Sequence, residues 1–594
     1  MEKQVALIID GVTVSVPASY TIMQAAETIG IRIPRFCYHP KLSNIGACRV
    51  CIVEVEGVKN FPVSCCTIVD EGMKVKTNTH ALREARRDIV ELILDNHPRD
   101  CQICERNNNC ELQVLAHTLG IREFILEGER KRYSLDDSSV SIFRDAEKCV
   151  LCGKCVRVCT EIQGVNALTY AYRGFKTTVV PAFNMNSGES ICVNCGQCTL
   201  FCPTAALLEK DATAQVWKNL SDPDKIVVVQ IAPAVRVAIG EGFGLEPGTD
   251  MTYQTVAALR LLGFKVIFDT QFSADLTIME EGYELVHRLK TKGRLPMLTS
   301  CSPGWIKFCE HFHPEFLKNI STCKSPQQMM GALIKTYYAN KAGIDPAKIY
   351  SVSIMPCTAK KFEAARPEMN SSGFQDVDAV LTTRELIKMI KQAGINLPVL
   401  KKSEFDEPLG ESTGAAPIFG VTGGVMEAAL RTAYEVVTGN ALVNLEFRSV
   451  RGFGGIKEAI VDIDGLSVKV AIAYGLANTH TLLTEIAQGK REYHFVEIMS
   501  CPGGCIGGGG QPYPQGLLEA LDKDLYQKRA DGLYGIDENK ELRKSHENPQ
   551  IKKIYSEFLG EPLGKKSHAL LHTHYHEKVP HGVTSCVDKT VSIS

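Results

Sequence analysis

Cysteine is the residue type of this chain most able to do chemistry, and its distribution is strongly uneven. The 594 residues include 23 cysteines, and most of them precede residue 203. Thiols at this density in a reducing compartment indicate metal ligation or redox chemistry, because disulfides rarely persist there. We therefore expect an N-terminal electron conduit of small cysteine-rich modules that feeds a larger reaction chamber.

Two cysteine runs carry the strongest local signal. Both have the spacing Cys-x2-Cys-x2-Cys-x3-Cys, and Pro203 follows the second run. This is the bacterial ferredoxin spacing, in which the fourth cysteine of each run ligates the other cluster. We predict two [4Fe-4S] clusters with crossed ligation, one held by Cys149, Cys152, Cys155 and Cys202 and the other by Cys159, Cys192, Cys195 and Cys198.

An earlier group of cysteines has a longer spacing, Cys37-x10-Cys48-x2-Cys51-x13-Cys65, and follows a hairpin pattern over residues 5–16. Plant-type ferredoxins have four residues between their first two cysteines, so this is a longer-looped relative, and a [2Fe-2S] cluster fits best. Cys66 competes with Cys65 for the fourth position. We prefer Cys65 because it resembles the corresponding cysteine in the large iron–sulfur subunit of respiratory complex I.

A third set of donors is His97-x3-Cys101-x2-Cys104-x5-Cys110, after a helix-like segment over 81–94. Histidine and cysteine are also the usual ligands of structural zinc, so the pattern alone leaves zinc open. Iron–sulfur signatures on both sides favour a [4Fe-4S] cluster, and the set resembles the His-ligated module of complex I.

From about residue 210 the chain alternates between strand-like and helix-like segments, which predicts an α/β domain with partly parallel sheets. The strand candidates are 226–230, 265–268, 295–298, 349–355, 378–381 and 494–499, and the helix candidates include 275–289, 326–339, 383–393 and 424–432. Cys301, Cys357 and Cys501 each follow a strand candidate. Because sites in such sheets lie beyond the carboxyl ends of strands, these segments can converge on one pocket.

Three segments surround those cysteines: TSCSPGW over 299–305, MPCTAKKFE over 355–363 and EIMSCPGGCIGGGGQP over 497–512. Their thiols, with Cys505, are enough to hold a [4Fe-4S] cubane. The glycines let the backbone press close to a ligand. A phosphate-binding loop is disfavoured because no Lys-Ser/Thr pair follows the glycines.

These segments resemble the three signature motifs of the [FeFe]-hydrogenases, and the upstream modules resemble the multi-cluster members of that family in the same order. The resemblance implies reversible oxidation of dihydrogen at a six-iron H-cluster, a cubane linked to a two-iron unit with carbon monoxide, cyanide and a bridging dithiolate. It implies that Cys357 and Cys501 are terminal ligands, that Cys505 bridges to the two-iron unit, and that Lys360 hydrogen-bonds a cyanide. The implied pocket residues are Met355, Met499, Pro233 and Gln327.

The resemblance also implies a proton route. Glu281 and Glu284 lie three residues apart on one predicted helix face, with Arg288 a turn further on, and Ser321 completes the route. Carboxyls and hydroxyls can both donate and accept protons, which a relay from the surface to the pocket requires.

Two positions depart from the best-known members of the family. Where they have two adjacent cysteines, a proton relay and then a cubane ligand, this chain has Cys301 and Ser302. Strict alignment makes Cys301 the relay and Ser302 an oxygen ligand. A thiolate is the better ligand for a cubane, so we predict that Cys301 ligates and that Ser302 relays or lies beside the relay. The second departure is Ala234, where some relatives have a serine near a cyanide.

The composition of the chain excludes several other classes of protein. The 66 Lys and Arg residues nearly balance the 68 Asp and Glu residues, so a basic nucleic-acid footprint is missing. No stretch of 18 apolar residues occurs, and we expect a cytoplasmic protein without membrane insertion. No dinucleotide or flavin fingerprint stands out, so use of NAD(P) requires partner subunits. The chain especially resembles the hydrogenase subunit of NAD(P)-linked, in some cases electron-bifurcating, complexes, and this resemblance implies partners that carry flavin and a further [2Fe-2S] cluster. A stand-alone enzyme linked to ferredoxin is the alternative; either one needs maturation proteins for the two-iron unit.

The predicted fold is an α/β catalytic domain preceded by α+β ferredoxin-like modules. The predicted domains are a β-grasp [2Fe-2S] domain (1–80), a [4Fe-4S] module with one histidine and three cysteine ligands (81–120), a two-[4Fe-4S] domain (138–212), the active-site domain (213–565) and a C-terminal tail (566–594). We expect the histidine-rich tail, which contains Cys586, to be frayed or to contact another subunit. Cys66, Cys309 and Cys323 are predicted to be spare, buried thiols. Two other functions stay open: an electron-transfer subunit, which shares the first 200 residues, and a dihydrogen sensor or iron–sulfur assembly factor.

Overall fold

The computed structural model describes residues 3–123, 128–442, 445–463, 465–514 and 519–578. Its N-terminal module is a four-stranded sheet of order β2-β1-β4-β3. The predicted hairpin is β1 with β2, which pair antiparallel, and β1 pairs parallel with β4. A capping box between Thr21 and Gln24 begins the helix that covers this sheet. The elements are β1 (Gln4–Ile9), β2 (Val12–Pro17), α1 (Ile22–Thr28), β3 (Glu54–Val55) and β4 (Lys74–Lys76).

The next modules are made of short helices and two small antiparallel pairs of strands. Each ferredoxin-type run contains a short helix that begins after a glycine with positive φ, Gly153 at 67° and Gly196 at 70°. A residue with a Cβ would be strained there, so glycine sets both turns. The elements are α2 (His80–Asn96), α3 (Glu111–Thr118), β5 (Ile142–Arg144), α4 (Lys154–Arg157), β6 (Thr169–Ala171), β7 (Thr178–Val180), α5 (Gln197–Phe201) and β8 (Leu207–Glu209).

Two four-stranded sheets form the catalytic domain. The first, of order β10-β9-β12-β13, is entirely parallel, and the second, of order β11-β16-β15-β14, is parallel except for the β14–β15 hairpin. The prediction of an α/β domain with partly parallel sheets is confirmed. The hairpin was not predicted. The strands are β9 (Ile226–Ile231), β10 (Val266–Asp269), β11 (Met297–Leu298), β12 (Ile349–Met355), β13 (Ala379–Thr382), β14 (Ile456–Ile463), β15 (Leu466–Tyr474) and β16 (Phe495–Met499).

Helices cover both sheets, and the longest, α9, is buried along most of its length. The predicted helix over 326–339 is α11, which continues through a wider turn into α12. The helices are α6 (Thr213–Leu220), α7 (Pro233–Arg236), α8 (Thr252–Leu262), α9 (Thr270–Lys290), α10 (Pro303–Phe312), α11 (Pro326–Leu333), α12 (Ala339–Ala342), α13 (Ala359–Ala364), α14 (Thr383–Gln392), α15 (Gly424–Thr438), α16 (Leu476–Ala487), α17 (Lys523–Glu538), α18 (Pro549–Ile554) and α19 (Lys565–Leu571). None of the described helices is long and apolar enough to cross a bilayer.

The prediction of a frayed tail from residue 566 is wrong as far as residue 578. Leu570 and Leu571 pack into the apolar cluster that contains Met329 and Leu333, and Lys324 N donates to Leu571 O at 2.7 Å. Burial of these leucines removes apolar surface from water and holds the segment on the domain. Cys586 lies outside the described residues.

A buried charge network ties α17 to α15. Arg431 is fully buried and pairs with Glu427 at 2.7 Å and with Asp537 at 2.8 Å. Arg451 and Arg543 bind the same two carboxylates from the other side. Because buried carboxylates need compensating charge, Arg431 joins the C-terminal helices to the catalytic core.

We expect Arg431→Met to lower the free energy of unfolding of the catalytic domain by about 3–5 kcal/mol, because it removes one member of a buried ion network. Calorimetric thermal unfolding measures the effect. The control is Lys528→Met, which breaks the exposed pair with Glu246 and should leave the unfolding temperature nearly unchanged, because solvent screens such pairs. Equal unfolding temperatures for the two variants would contradict the role of Arg431.

Candidate active site

One cavity lies where the carboxyl ends of the two sheets meet. Cys357 follows β12 of the first sheet, whereas Cys301 and Cys501 follow β11 and β16 of the second. All three, and Cys505, line this cavity. The structure therefore brings together the four cysteines of the three sequence segments. Their roles as iron ligands stay predictions.

The glycine-rich loop after β16 closes the cavity by lying directly on two neighbouring segments. A Cβ on Gly508 would collide with the carbonyl of Pro356, and one on Gly509 would collide with the carbonyl of Cys195. Gly504, at a φ of 94°, has a backbone conformation that other residues rarely adopt. The glycines are needed because three stretches of backbone meet here without space for side chains.

Lys360 projects from α13 into the cavity wall and is held by defined partners. Its Nζ donates to Cys301 O at 3.1 Å and to Glu363 Oε2 at 2.9 Å. The same Glu363 oxygen accepts from Ser325 at 2.8 Å and from Gln327 at 3.0 Å. Glu363 was not among the predicted site residues, although its i,i+3 spacing from Lys360 was a usable signal.

The rest of the wall is mainly apolar. Each of the predicted pocket residues, Met355, Met499, Pro233 and Gln327, lines the cavity, as does Ala234. Phe419 and Gly420 also line it and were not predicted, because nothing in their residue types indicates a site. A dry, apolar wall excludes water from whatever the thiols hold.

Behind the cavity, Glu281 and Glu284 lie on α9 as expected. Both carboxyl oxygens of Glu281 are buried without a hydrogen-bond partner among the described residues. Burial, and then repulsion by Glu284, raises the pKa of Glu281 to about 8. Glu284 accepts a hydrogen bond from Ser321 Oγ at 2.8 Å and pairs with Arg288. The three predicted relay residues, Glu281, Ser321 and Glu284, are thus neighbours, and Arg288 pairs with the last of them.

Cys301 and Ser302 face different partners. Burial, and then the nearby Glu281 carboxylate, raises the pKa of Cys301, while Lys360 opposes that effect. Ser302 Oγ is 2.8 Å from Ser500 Oγ and accepts from Ser500 N at 3.2 Å. Cys301 therefore lies toward the carboxyl route and Ser302 toward the loop that carries Cys501. Which of the two ligates the cubane and which relays protons stays a prediction.

Four thiols of the N-terminal module form one buried group. Hydrogen bonds with Cys48 and then Cys65 lower the pKa of Cys37, and a hydrogen bond with Cys65 lowers the pKa of Cys51. Cys66 is exposed, with its sulfur 3.6 Å from that of Cys65. The expectation that Cys66 is buried is wrong, since its side chain points outward from the group.

His97 ends α2 in a buried position, and its Nδ1 has no hydrogen-bond partner among the described residues. Burial lowers the pKa of His97 to about 4, so the ring is neutral and able to act as a ligand. Cys104 lies near Cys110, and Cys101 is exposed at the surface. A buried ring nitrogen without a hydrogen-bond partner among the described residues fits a metal ligand.

The two ferredoxin-type runs interleave. Cys149, Cys152, Cys155 and Cys202 line one small cavity, which is the first predicted ligand set. Cys159 and Cys195 lie near Cys192 and Cys198, the other members of the second set. Cys309 and Cys323 are buried outside all these groups, as expected of spare thiols.

The donor chemistry at the active-site cavity fits an iron–sulfur group. Burial, and then the neighbouring Cys357, raises the pKa of Cys505 to about 12, and the same causes raise the pKa of Cys501. Such thiols do not ionise in the dry interior unless a cation compensates their charge. An iron–sulfur group would supply that positive charge and take these clustered cysteines as thiolates, so the donor set fits such a group.

Five sequence families match consecutive segments of the chain: a 2Fe-2S iron-sulfur cluster binding domain (2–80), the NADH-ubiquinone oxidoreductase-G iron-sulfur binding region (86–124), a 4Fe-4S dicluster domain (148–206), the C-terminal domain of the iron only hydrogenase large subunit (225–509) and the iron hydrogenase small subunit (523–578). The chain is 50% identical to the NADP-reducing hydrogenase subunit HndD of Solidesulfovibrio fructosivorans, over 97% of this chain and 99% of the relative. It is 41% identical to iron hydrogenase 1 of Clostridium pasteurianum, over 96% and 99%.

The chain belongs to the [FeFe]-hydrogenase family. A solved structure of a variant of the apo [FeFe]-hydrogenase HydA1 from Chlamydomonas reinhardtii has a TM-score of 0.55 and 44% identity, covering 62% of this chain and all of that one. The protein is thus an iron hydrogenase, an oxidoreductase that acts on dihydrogen. It has a 2Fe-2S domain, 4Fe-4S binding regions and an H-cluster domain.

We expect Cys505→Ala to abolish dihydrogen production from a reduced viologen dye, because the variant removes the predicted bridge to the two-iron unit. Electron paramagnetic resonance of the reduced protein should still show the accessory clusters. The matched control is Cys309→Ala, a buried thiol away from the cavity, which should keep its activity. Unchanged turnover in Cys505→Ala would rule out the bridging role.

Proposed function

We propose that this chain is the hydrogenase subunit of an NADP-linked complex and that it holds one [2Fe-2S] cluster, three accessory [4Fe-4S] clusters and a six-iron H-cluster. Similarity along the full length to an NADP-reducing hydrogenase subunit supports this proposal. Since the sequence lacks a dinucleotide fingerprint, partner subunits with flavin and iron–sulfur centres would pass electrons to NADP.

When bound, the six-iron centre supplies the redox chemistry that forms and cleaves dihydrogen. Cys357, Cys501 and Cys505 would hold it, with Ser302 or Cys301 as the fourth ligand. The Lys360 ammonium, kept in place by Glu363, suits an anionic ligand such as cyanide. Met355, Met499 and the apolar wall keep water out.

Protons would pass between Cys301 and the surface through Glu281, Ser321 and Glu284, whose carboxylate pairs with Arg288. The buried Glu281 is largely protonated at neutral pH, since its pKa is about 8, so it can deliver a proton to the neighbouring thiol. The hydrogen bond from Ser321 to Glu284 provides the next proton transfer, and Glu284 pairs with Arg288 at the outer end of the route.

Electrons would leave the cavity through the second ferredoxin-type cluster. Cys195 lines the cavity itself. Gln197 donates to Gly507 O at 2.8 Å and Thr358 donates to Asn194 O at 2.7 Å, so this run is bonded to both cavity loops. Such direct contact supports short electron transfer between the two centres.

At the other end, two modules contact the region of the first ferredoxin-type cluster. Arg157 donates to the carbonyls of Cys37 and Cys152. Lys148 Nζ is 3.8 Å from Cys104 Sγ, and Glu111 N donates to Pro203 O at 3.0 Å. The [2Fe-2S] domain and the module that contains His97 therefore provide two routes by which electrons can exit.

We expect Glu281→Gln to lower turnover about a hundredfold, because an amide cannot relay a proton. Iron content should not change. His287→Gln, on the exposed face of the same helix, is the control and should retain activity. In the unmodified enzyme, dihydrogen production should decline as the pH rises through about 8, where Glu281 loses its proton. Loss of iron from Glu281→Gln would show that Glu281 is structural.

We expect the purified, matured chain to produce dihydrogen with reduced viologen but not to reduce NADP by itself. Adding a flavin-containing partner subunit from the same source should restore NADP reduction with dihydrogen. If ferredoxin supports full turnover and no partner confers NADP reduction, the stand-alone alternative is correct. A matured protein that produces no dihydrogen at all would favour a sensor or assembly role.

A further inference from the structure

A second chain of hydrogen bonds joins the proposed proton route at Glu284. Thr322 Oγ1 is 3.4 Å from Glu284 Oε2 and 2.8 Å from His572 Nδ1. The other ring nitrogen of His572, Nε2, is 3.0 Å from Glu280 Oε2. These four side chains form one continuous path, from the proton route to the C-terminal segment.

Glu280, at the far end of this path, is surrounded by hydrogen-bond donors that stabilise its anionic form. It is fully buried and accepts hydrogen bonds from His572, Ser567, Tyr555 and the backbone N of Leu563. Burial alone would raise its pKa, but the hydrogen bonds, led by that from His572, outweigh burial and lower the pKa. An anionic Glu280 fixes a proton on Nε2 of His572 and leaves Nδ1 to exchange protons with Thr322.

The backbone keeps His572 in this position. Thr573 N donates to Thr322 O at 2.8 Å, and residues Cys323 and His572 form a β-bridge. His572 is buried, and its ring stacks on that of His568 with 4.5 Å between centroids. The charged or titratable groups around it are Glu280, Glu284, Cys323, Tyr555 and His568.

We propose that His572 is a positioning residue for the proton relay, one that holds a proton beside Glu284 and exchanges it through the hydroxyl of Thr322. The proton passes from the Glu284 carboxyl to Thr322 Oγ1, and the hydroxyl proton of Thr322 passes to His572 Nδ1. Glu284 becomes a carboxylate and His572 an imidazolium paired with Glu280; the reverse steps return the proton. This rests on the proposed route through Glu284.

A held proton has a purpose in this reaction, because each dihydrogen molecule requires two protons while the route through Glu281 delivers them one at a time. An imidazolium between two carboxylates is stabilised by both of them. The His572 imidazolium can return its proton to Glu284 before another proton arrives from the surface. His572 lies in the segment that matches the iron hydrogenase small subunit family, so this segment would contribute to turnover as well as to packing.

The decisive experiment compares variants of the matured holoenzyme by pH profile. Thr322→Val keeps the shape of the side chain but removes the hydroxyl, and His572→Gln keeps a polar partner for Glu280 but cannot hold a proton. Both should lower the rate of dihydrogen production about tenfold, the effect of losing one charge-assisted hydrogen bond. Both should also lose the same ionisation from the pH profile, and the KM for dihydrogen, measured in the direction of dihydrogen oxidation, should be unchanged.

Thr322→Ser should restore the profile of the unmodified enzyme, and His576→Gln, at an exposed histidine of the same segment, should leave it unaltered. If His572→Gln retains the original rate and profile, the proposal is overturned. If Thr322→Val loses iron, the comparison of Thr322→Ser with His572→Gln decides. Should Glu284→Gln also be fully active, the failure lies with the proposed route itself, whereas a slow Glu284→Gln beside a normal His572→Gln removes only the branch.

Discussion

The close approach of the glycine loop after β16 to Pro356 and Cys195 is the constraint on which this structure depends. Cys501 and Cys505 can join Cys357 only because backbone meets backbone there, and each carbonyl occupies space that a Cβ would need. The two sheets contribute to the same cavity but do not share a strand pair. Loop contact, and not sheet hydrogen bonding, therefore sets the separation of the thiols.

Around that contact, the routes proposed for electrons and for protons lie in different parts of the interior. On one side, apolar residues and thiols form a wall suited to electrons and to a nonpolar gas. On the other, α9 presents Glu280, Glu281 and Glu284 within a single turn and a half, all of them buried. Buried carboxyls are costly unless paired, and here their pairing differs: Glu280 and Glu284 are fully bonded, whereas Glu281 has no hydrogen-bond partner among the described residues. This unpaired carboxyl is the one nearest the cavity.

The sequence was sufficient for much of this arrangement. Cysteine spacing is a local property, so the interleaved sets around Cys155 and Cys198 could be predicted without tertiary information. The parallel strands of the catalytic domain could be predicted as well, because buried strands are continuous apolar runs. Ligand roles were carried by family resemblance, and they still stand as predictions.

What the sequence could not provide depends on contacts between distant segments. Phe419 is part of the cavity only because its loop folds over Cys505, and the pairing of Thr322 with His572 spans 250 positions. The C-terminal helix was mistaken for a tail because Leu570 and Leu571 are too few to produce a periodic signal. Cys301 and Ser302 are adjacent in sequence, so their separate partners emerged only in three dimensions.

The hydrogen bonds of Gln197 and Thr358 attach the second cysteine run to the catalytic domain, although its cysteine spacing is that of a ferredoxin. A modular exchange between relatives would therefore succeed more readily if the junction were placed upstream of this run than at the nominal border near residue 212. Removing this run would take away the partners that Gly507 O and Thr358 have on it, so a chain without the run needs other contacts to hold the cavity loops in place.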